Sequence, residues 1–355
     1  MNLAEKLASP SWIVIQLLEQ CNLRCRMCYE WGATGAYHEL HNLAMLDLQV
    51  AQRVVEEVVP SKPVFEFFGG EPLLYPGIWD LIQVIRAGGC DLSFPTNGTL
   101  LAEHADRLVE TGPTQLWVSL DGPRDVNDSQ RGFGVFENVM NGLEKLSQAR
   151  SAQNSDFPRL GVTCVVTPTN FANIEELFVN CIDVSMLASV SIELQSYATA
   201  DQVQQYEREL RADFDIAATP CAKAYVRDPA EFSSIDFADL ARQMRNVRSL
   251  CNSRGVRFYS QPRTLESNNI QSYFTANWEQ MADRRSRCAV PWLAAEISAR
   301  GDVTTCHTFY DLPIGNVYEQ GLLEIWRGVK LKRLQSRLRS KLFPICTACC
   351  RYYID

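Results

Sequence analysis

The sequence predicts an α/β protein built on a parallel sheet with crossover helices, and three observations carry that reading. Six short β-type runs alternate with helical segments over residues 13–195, the pattern of parallel strands joined by helices. Polar or glycine-rich turns stand just past the ends of several runs, where barrels and open α/β sheets place their chemistry. The 355 residues are 46% hydrophobic and 21% charged, a globular composition with enough chain to bury a substantial core in one large domain or two.

Residues 13–18 (Ile-Val-Ile-Gln-Leu-Leu) form the first predicted strand, running into Cys21, Cys25 and Cys28. Leu43–Val59 follows as an amphipathic helix, apolar at 46, 50, 51, 54, 55 and 58 and closed by Pro60. A second strand, Val64–Phe68, ends in Gly69-Gly70-Glu71-Pro72, and helix 77–87 leads to strand 91–95 and Thr96-Asn97-Gly98. Helix 99–110 leads to strand 115–119, then Ser119-Leu-Asp121-Gly122. A helix near 133–147, a polar loop over 148–157, strand 160–167, helix 173–180 and strand 189–195 complete the series. Beyond residue 200 the rhythm breaks: 201–254 reads as mostly helical, Val256–Ser260 as one more strand, and 265–285 is polar and aromatic without a clear period. From Cys288 a compact module begins, with a hairpin turning at Arg300-Gly301-Asp302, a strand at 303–306 and a last helix from Leu322 to Leu338.

A net charge of -8, from 34 Lys and Arg against 42 Asp and Glu, argues against a broad nucleic-acid surface. No segment approaches the ~20 apolar residues of a membrane span, and the start carries no signal-peptide pattern. A cytoplasmic protein with no membrane or nucleic-acid partner is expected. Thirteen cysteines with only four His are too many for a bland core and too odd a number for a secreted disulfide framework, which points to metal or iron–sulfur ligation. They cluster at Cys21, Cys25 and Cys28 and again at Cys288, Cys306, Cys346, Cys349 and Cys350. Cys90, Cys164, Cys181, Cys221 and Cys251 are scattered and read first as small buried hydrophobes.

Cys21-x3-Cys25-x2-Cys28 supplies three thiolates on one loop directly after a strand. A zinc site would need a fourth ligand, for which His38 or His41 is available. An iron–sulfur cluster held by three cysteines would leave one iron open. The octapeptide CNLRCRMC resembles the CxxxCxxC signature of the radical S-adenosylmethionine (radical SAM) superfamily, whose open iron chelates S-adenosylmethionine and whose reduced cluster cleaves it to a 5'-deoxyadenosyl radical. The resemblance implies a partial (β/α)6 barrel of the TIM type. Gly69, Gly70 and Glu71 stand where that family contacts the methionine amino group, the glycines allowing close backbone approach. Thr96 and Asn97 resemble the family's polar turn after the third strand, although an ordinary capped turn reads the same way. Ser119 and Asp121 resemble its ribose or carboxylate contacts and Asn170 another position near the ribose, with Met27 and Tyr29 expected against the adenine.

At the other end, Cys288-Ala-Val-Pro-Trp292, Gly301 to Cys306, Ile314-Gly-Asn-Val317, Ile325-Trp326 and Cys346-x2-Cys349 resemble the SPASM/twitch auxiliary-cluster module. The full module uses seven cysteines for two clusters. Here Cys288, Cys306, Cys346 and Cys349 suffice for one auxiliary [4Fe–4S] cluster, making two in all, with Cys350 an alternative to Cys349; a four-cysteine zinc site is the competing reading. The expected divisions are 1–200 for the barrel, 201–285 for a connecting segment and 286–355 for the module.

The resemblance implies hydrogen abstraction from an unactivated carbon of a ribosomally made precursor peptide, giving a crosslink, an epimer or backbone excision of the tyramine-splicing kind. The early first strand leaves no room for a leader-binding domain, so a separate leader-recognition protein is expected, with a flavodoxin-like or other reductant. A small-molecule dehydrogenase or carbon-skeleton enzyme is the alternative, and an iron–sulfur electron-transfer protein the non-enzymatic one. Tyr197, Tyr206, Tyr225, Phe258, Tyr259, Tyr273, Phe274 and Trp278 would serve either as peptide anchors or as core. Seven positive charges between Arg327 and Lys341 read as a solvated helix face or as a dock for an acidic partner. Cys164, inside the fifth strand, is the candidate hydrogen-atom donor if it faces the barrel lumen.

Overall fold

A computed structural model describes residues 8–307 and 310–349. Its centre is a ten-stranded sheet. The strands are β1 (Trp12–Leu18), β2 (Val64–Gly69), β3 (Leu92–Thr96), β4 (Gln115–Ser119), β5 (Arg159–Val166), β6 (Ser189–Leu194), β7 (Arg257–Gln261), β8 (Ala294–Ile297), β9 (Asp302–Thr304) and β10 (Gly315–Asn316). They lie in the order β10-β9-β8-β1-β2-β3-β4-β5-β6-β7. Strands β1 to β6 run parallel in sequence order, as the βα rhythm requires, and form a partial (β/α)6 barrel with a C-terminal module.

Two strands decided by distant pairing extend that barrel. β7 pairs parallel with β6, and β8 of the module pairs parallel with β1. Both edges of the six-stranded unit are thereby covered, which removes rows of unpaired N–H and C=O groups. β9 and β10 continue antiparallel from β8, so the module prolongs the sheet.

Among the helices are α1 (Leu48–Val58), α2 (Ile78–Ala87), α3 (Leu101–Thr111), α4 (Arg124–Arg131), α5 (Val135–Ala152) and α6 (Ile174–Glu176), the last passing into a π-helical turn over Leu177–Cys181. The connecting segment supplies α7 (Ala200–Phe214), α8 (Pro220–Lys223), α9 (Phe237–Ser253) and α10 (Ser267–Phe274), and the module α11 (Leu322–Arg327) and α12 (Val329–Ser340). α1 begins at Leu48 and not at Leu43, because the Asp47 carboxylate accepts from the Gln49 and Val50 amides and caps it. Residues just before it pair with the end of β1 instead, Leu46 N–H donating to Leu17 O at 2.9 Å. The helix expected near 133–147 is α5, which runs on to Ala152 into the expected loop, and a helix that was not expected, α4, precedes it across Gly132 and Gly134 at φ 126° and 78°. The expected last helix breaks at Gly328. No helix is long and apolar enough to cross a membrane among the described residues.

Alternation fixes the two faces. Phe65, Phe67, Phe94, Val118, Val162 and Ile192 are fully buried, and Val118 meets Val139 of α5 at Gly98, which identifies the helix-covered side. Glu66, Phe68, Trp117, Ser119, Thr163 and Glu193 are only partly buried on the other face. Cys164 is 0% exposed in register with Ile192, so it lies on the helix side while Thr163 and Val165 take the open side. The expected lumen orientation of Cys164 is therefore reversed, and its side chain is fully buried on the helix side.

Candidate functional site

The three-cysteine loop leaves β1 at Leu18 and is tied down from several sides. Glu19, buried, accepts two hydrogen bonds from Arg300 at 2.8 Å each and one from the Ala44 amide at 2.7 Å, fastening the loop's root to the module's hairpin turn. Arg26 N–H donates to Gln130 O at 2.9 Å, joining its middle to α4. Gly70 explains the glycine pair after β2: a Cβ there would lie 2.0 Å from Gln20 O and 2.8 Å from Cys21 N. The two backbones touch, and only glycine permits that approach.

Each sulfur of the loop is approached by nitrogen donors. Leu23 N–H lies 3.4 Å and Asn97 Nδ2 3.8 Å from Cys21 Sγ. Arg131 Nη1 lies 4.0 Å from Cys25 Sγ, and Trp31 N–H 3.3 Å from Cys28 Sγ. Burial pushes the Cys21 thiol up to about 11 and Cys28 up to about 12, against the lowering effect of those amides. Burial raises Cys25 as well, opposed by Arg131. Thiols so placed stay protonated by themselves and surrender their protons to a metal, the surrounding N–H groups then helping to hold the negative charge of the thiolates.

Glu71 is the brace of the cradle. Its carboxylate accepts from Thr96 Oγ1 at 2.8 Å, the Asn97 amide at 2.8 Å and the Leu73 amide at 3.2 Å. Burial raises its pKa to about 7 against these donors. Asn97 donates to Asn22 Oδ1 at 2.7 Å and accepts from the Thr99 amide and hydroxyl. The turns after β2 and β3 and the cysteine loop are thus one network. Gly69, at φ 122°, makes the turn that delivers Glu71.

Asp121 and Asn170 are structural where ligand contacts were expected. Asp121 is 0% exposed, with Oδ1 accepting from the Val165 amide at 2.9 Å and Oδ2 2.7 Å from Arg131 Nε. Asn170, also 0% exposed, donates to Asp121 O and Val165 O and accepts from the Thr167 amide and hydroxyl. All its hydrogen-bonding capacity is spent inside the protein. Ser119 heads a register row that continues through Thr163 and Ser191 to Tyr259, giving the open face a polar band. Met27 is half-buried on the loop. Tyr29 stacks on Tyr225 at 4.8 Å and on His307 at 6.5 Å.

The module's cysteines converge. The ligand atoms of Cys306, His307 and Cys349 lie within 4.8 Å of one another, and Cys288 and Cys346 are close enough for the charges of this group to raise their thiols further. Cys350 lies outside the described residues. His307 is the member that sequence reading missed. Burial alone would lower its imidazole, but Cys306, a hydrogen bond to Cys349, and Glu296 hold it well above its ordinary value. Adjacency to Cys306 was the available signal.

Two other expectations change. Of the aromatic set, Tyr197, Tyr206, Tyr225, Tyr273, Phe274 and Trp278 are buried, while Phe258 is half-buried and Tyr259 43% exposed; this set is mostly core. Tyr259 meets Trp117 edge-on at 6.1 Å, across Gly161, where a Cβ would lie 2.6 Å from the Trp117 ring. In the basic stretch, Arg337 is committed to Glu209 at 2.6 Å and Asp213 at 2.8 Å on α7. Arg333 lies over Phe214 and Arg339 over Trp292. These contacts hold α12 in place, so the stretch is not a bare cationic face.

Comparisons with known proteins agree with this architecture. Residues 15–178 match the family described as "Radical SAM superfamily", and residues 288–350 match "SPASM", an iron–sulfur cluster-binding domain. A Pyrococcus furiosus protein, the tungsten-containing aldehyde ferredoxin oxidoreductase cofactor-modifying protein, is 22% identical over 95% of this chain and 86% of its own length. An AdoMet-dependent heme synthase of Methanosarcina barkeri is 31% identical over 48% of this chain and 46% of its own. The mycofactocin maturase MftC of Mycobacterium tuberculosis is 28% identical over 48% and 41%. The chain thus spans less than half the length of these last two. Among solved structures, Streptococcus suis SuiB bound to S-adenosylmethionine superposes with a TM-score of 0.64 at 17% identity, over 91% of this chain and 67% of that one. Native anSMEcpe with bound AdoMet gives 0.62 at 16% identity, over 96% and 88%. The chain thus carries a radical SAM domain over residues 15–178 and a SPASM domain over residues 288–350, the domain pair of a radical-SAM-type enzyme.

Proposed function

We propose that the protein modifies a ribosomally synthesised precursor peptide by removing hydrogen from an unactivated carbon, leading to a crosslink, an epimer or backbone excision. The observation that carries this reading is the likeness in fold to SuiB, solved with its precursor peptide SuiA bound, at a TM-score of 0.63 over 93% of this chain.

Cys21, Cys25 and Cys28 would hold a [4Fe–4S] cluster, their sulfurs already met by N–H donors. Cys288, Cys306, Cys346 and Cys349 would hold an auxiliary one. The cluster on three cysteines supplies reductive cleavage of S-adenosylmethionine to the 5'-deoxyadenosyl radical. The chain's own part is to place the reactants. Gly69 and Gly70 let the turn after β2 close onto β1 and the cysteine loop, with Glu71 fixing the turn through Thr96 and Asn97, and that turn would meet the methionine end. Met27 and Tyr29 border the adenine side, and Ser119 offers a hydroxyl at the edge of the open face. That face, with the Ser119–Thr163–Ser191–Tyr259 row and the Trp117 ring, would bind the peptide. A flavodoxin-like reductant would supply the electron, and a separate small leader-binding protein would deliver the substrate.

A second reading, oxidation or rearrangement of a small metabolite or cofactor, is favoured by the Pyrococcus relative, whose likeness covers 95% of this chain. Anaerobic purification from the native cells, with mass spectrometry of what accompanies the protein, separates the two. A co-purifying short peptide or leader-binding protein supports peptide modification. A preparation that makes 5'-deoxyadenosine from S-adenosylmethionine and carries neither moves the assignment to a small molecule.

A further inference from the structure

His307 stands at the junction of the two cysteine sites. It follows Cys306 directly, and its ring and the sulfurs of Cys306 and Cys349 lie within 4.8 Å of one another. Its Nδ1 is 3.8 Å from Glu296 Oε1. Its face lies on Tyr29 at 6.5 Å and 19° between planes, and Tyr29 follows Cys28 in the chain. The Tyr29 ring also stacks on Tyr225 at 4.8 Å and 18°. The imidazole is therefore positioned from three directions: a carboxylate at one nitrogen, a thiol pair at its edge and an aromatic face.

Glu296 is fully buried because β8 pairs with β1, with Glu296 in register with Val14. The same pairing carries the hairpin that brings His307 to Tyr29. This arrangement fits an outer partner to a metal-bound thiolate, with a carboxylate 3.8 Å from one ring nitrogen and a ring nitrogen within 4.8 Å of the Cys349 sulfur. Hydrogen bonds to cluster sulfurs are one of the levers that set an iron–sulfur reduction potential.

We propose that His307 is a positioning residue of the auxiliary site, donating its N–H to the Cys349 sulfur and so making the auxiliary cluster easier to reduce. The inference rests on the reading of Cys288, Cys306, Cys346 and Cys349 as an auxiliary cluster. One electron enters from the external low-potential donor, no covalent bond is made or broken, and the hydrogen bond stabilises the added negative charge on sulfur. Glu296 and Tyr29 hold the ring in line.

The test uses the full-length, anaerobically reconstituted enzyme. Labelling with 15N-histidine marks four positions, and pulsed electron paramagnetic resonance on the reduced auxiliary signal should show one weakly coupled 15N, absent from His307→Leu. A coupling as large as that of a directly bound nitrogen, or none, overturns the hydrogen-bond assignment. In redox titrations at fixed pH, His307→Leu should shift the auxiliary equilibrium roughly tenfold against reduction, which is ~59 mV for a one-electron couple. His307→Gln, which keeps an N–H donor, should recover most of that shift. An unchanged auxiliary potential in His307→Leu overturns the inference and leaves the cluster reading standing. A wild-type protein with iron for only one cluster and no second signal overturns both. If His307→Leu takes up no auxiliary iron, the 15N coupling in the wild type decides.

Discussion

Arg131 and Asp121 form an ion pair inside the protein, Nε to Oδ2 at 2.7 Å with 8% and 0% of the side chains exposed. The same guanidinium reaches Cys25 Sγ at 4.0 Å through Nη1. The pair therefore joins the end of β4 to the three-cysteine loop, and Asp121 raises the pKa of Arg131 against the effect of burial. Arg131→Met leaves a buried carboxylate without its partner, so urea denaturation should show a loss of about 3–5 kcal/mol. A loss under about 1 kcal/mol would mean the pair is solvated and carries no structural weight.

Glu71 gives a pH dependence with a definite sign. Burial raises its folded-state pKa from 4.5 to about 7, so between those values the folded protein binds a proton that the unfolded chain releases. This contribution is present in full below the unfolded value and is lost as the pH rises through the folded one. Comparing denaturation at pH 4.5 and 7.5, the wild type should lose up to about 3 kcal/mol relative to Glu71→Gln. Parallel pH profiles for the two proteins would remove Glu71 as the titrating group.

Gly70→Ala tests the contact between the β2 turn and the cysteine loop. The added methyl would sit 2.0 Å from Gln20 O, and both neighbours are backbone, so the loop itself must move. The variant should fold, by circular dichroism, and lose most of the iron bound at Cys21, Cys25 and Cys28 together with formation of 5'-deoxyadenosine. Wild-type iron and turnover would show that the loop adapts at no cost.

Replacing Cys288 by Ala should halve the iron from about eight to about four atoms per chain and remove the auxiliary signal while the first cluster remains. Loss of both signals would mean the two sites assemble together.

Cys164 provides the converse check. Its thiol is 0% exposed beside Ile192 and 3.9 Å from Asn170 Nδ2. Cys164→Ala should cost about 1 kcal/mol of stability by removing packed sulfur and leave product formation on the native substrate within about twofold. Product arrested at the radical stage, with normal folding, would restore Cys164 as a hydrogen donor.

The local chemistry was legible in the sequence because it depends on short-range order. Cys21, Cys25 and Cys28 lie on one loop by their spacing, and Gly69-Gly70-Glu71 turns where a strand ends. The βα rhythm from β1 to β6 follows from alternating apolar periods. What each polar residue does was decided by tertiary structure, since hydrogen-bond partners come from distant elements. Asp121 and Asn170 have the side chains of ligand contacts, yet Arg131, Val165 and Thr167 consume them. The face of Cys164 turned on register, because a period of two leaves the choice of side open until the neighbouring strands and helices are placed. β7 and β8 needed the bare edges of the barrel to make them strands of the same sheet. Only that pairing brings His307 onto Tyr29 and Glu296, joining through space two cysteine clusters that lie at opposite ends of the chain.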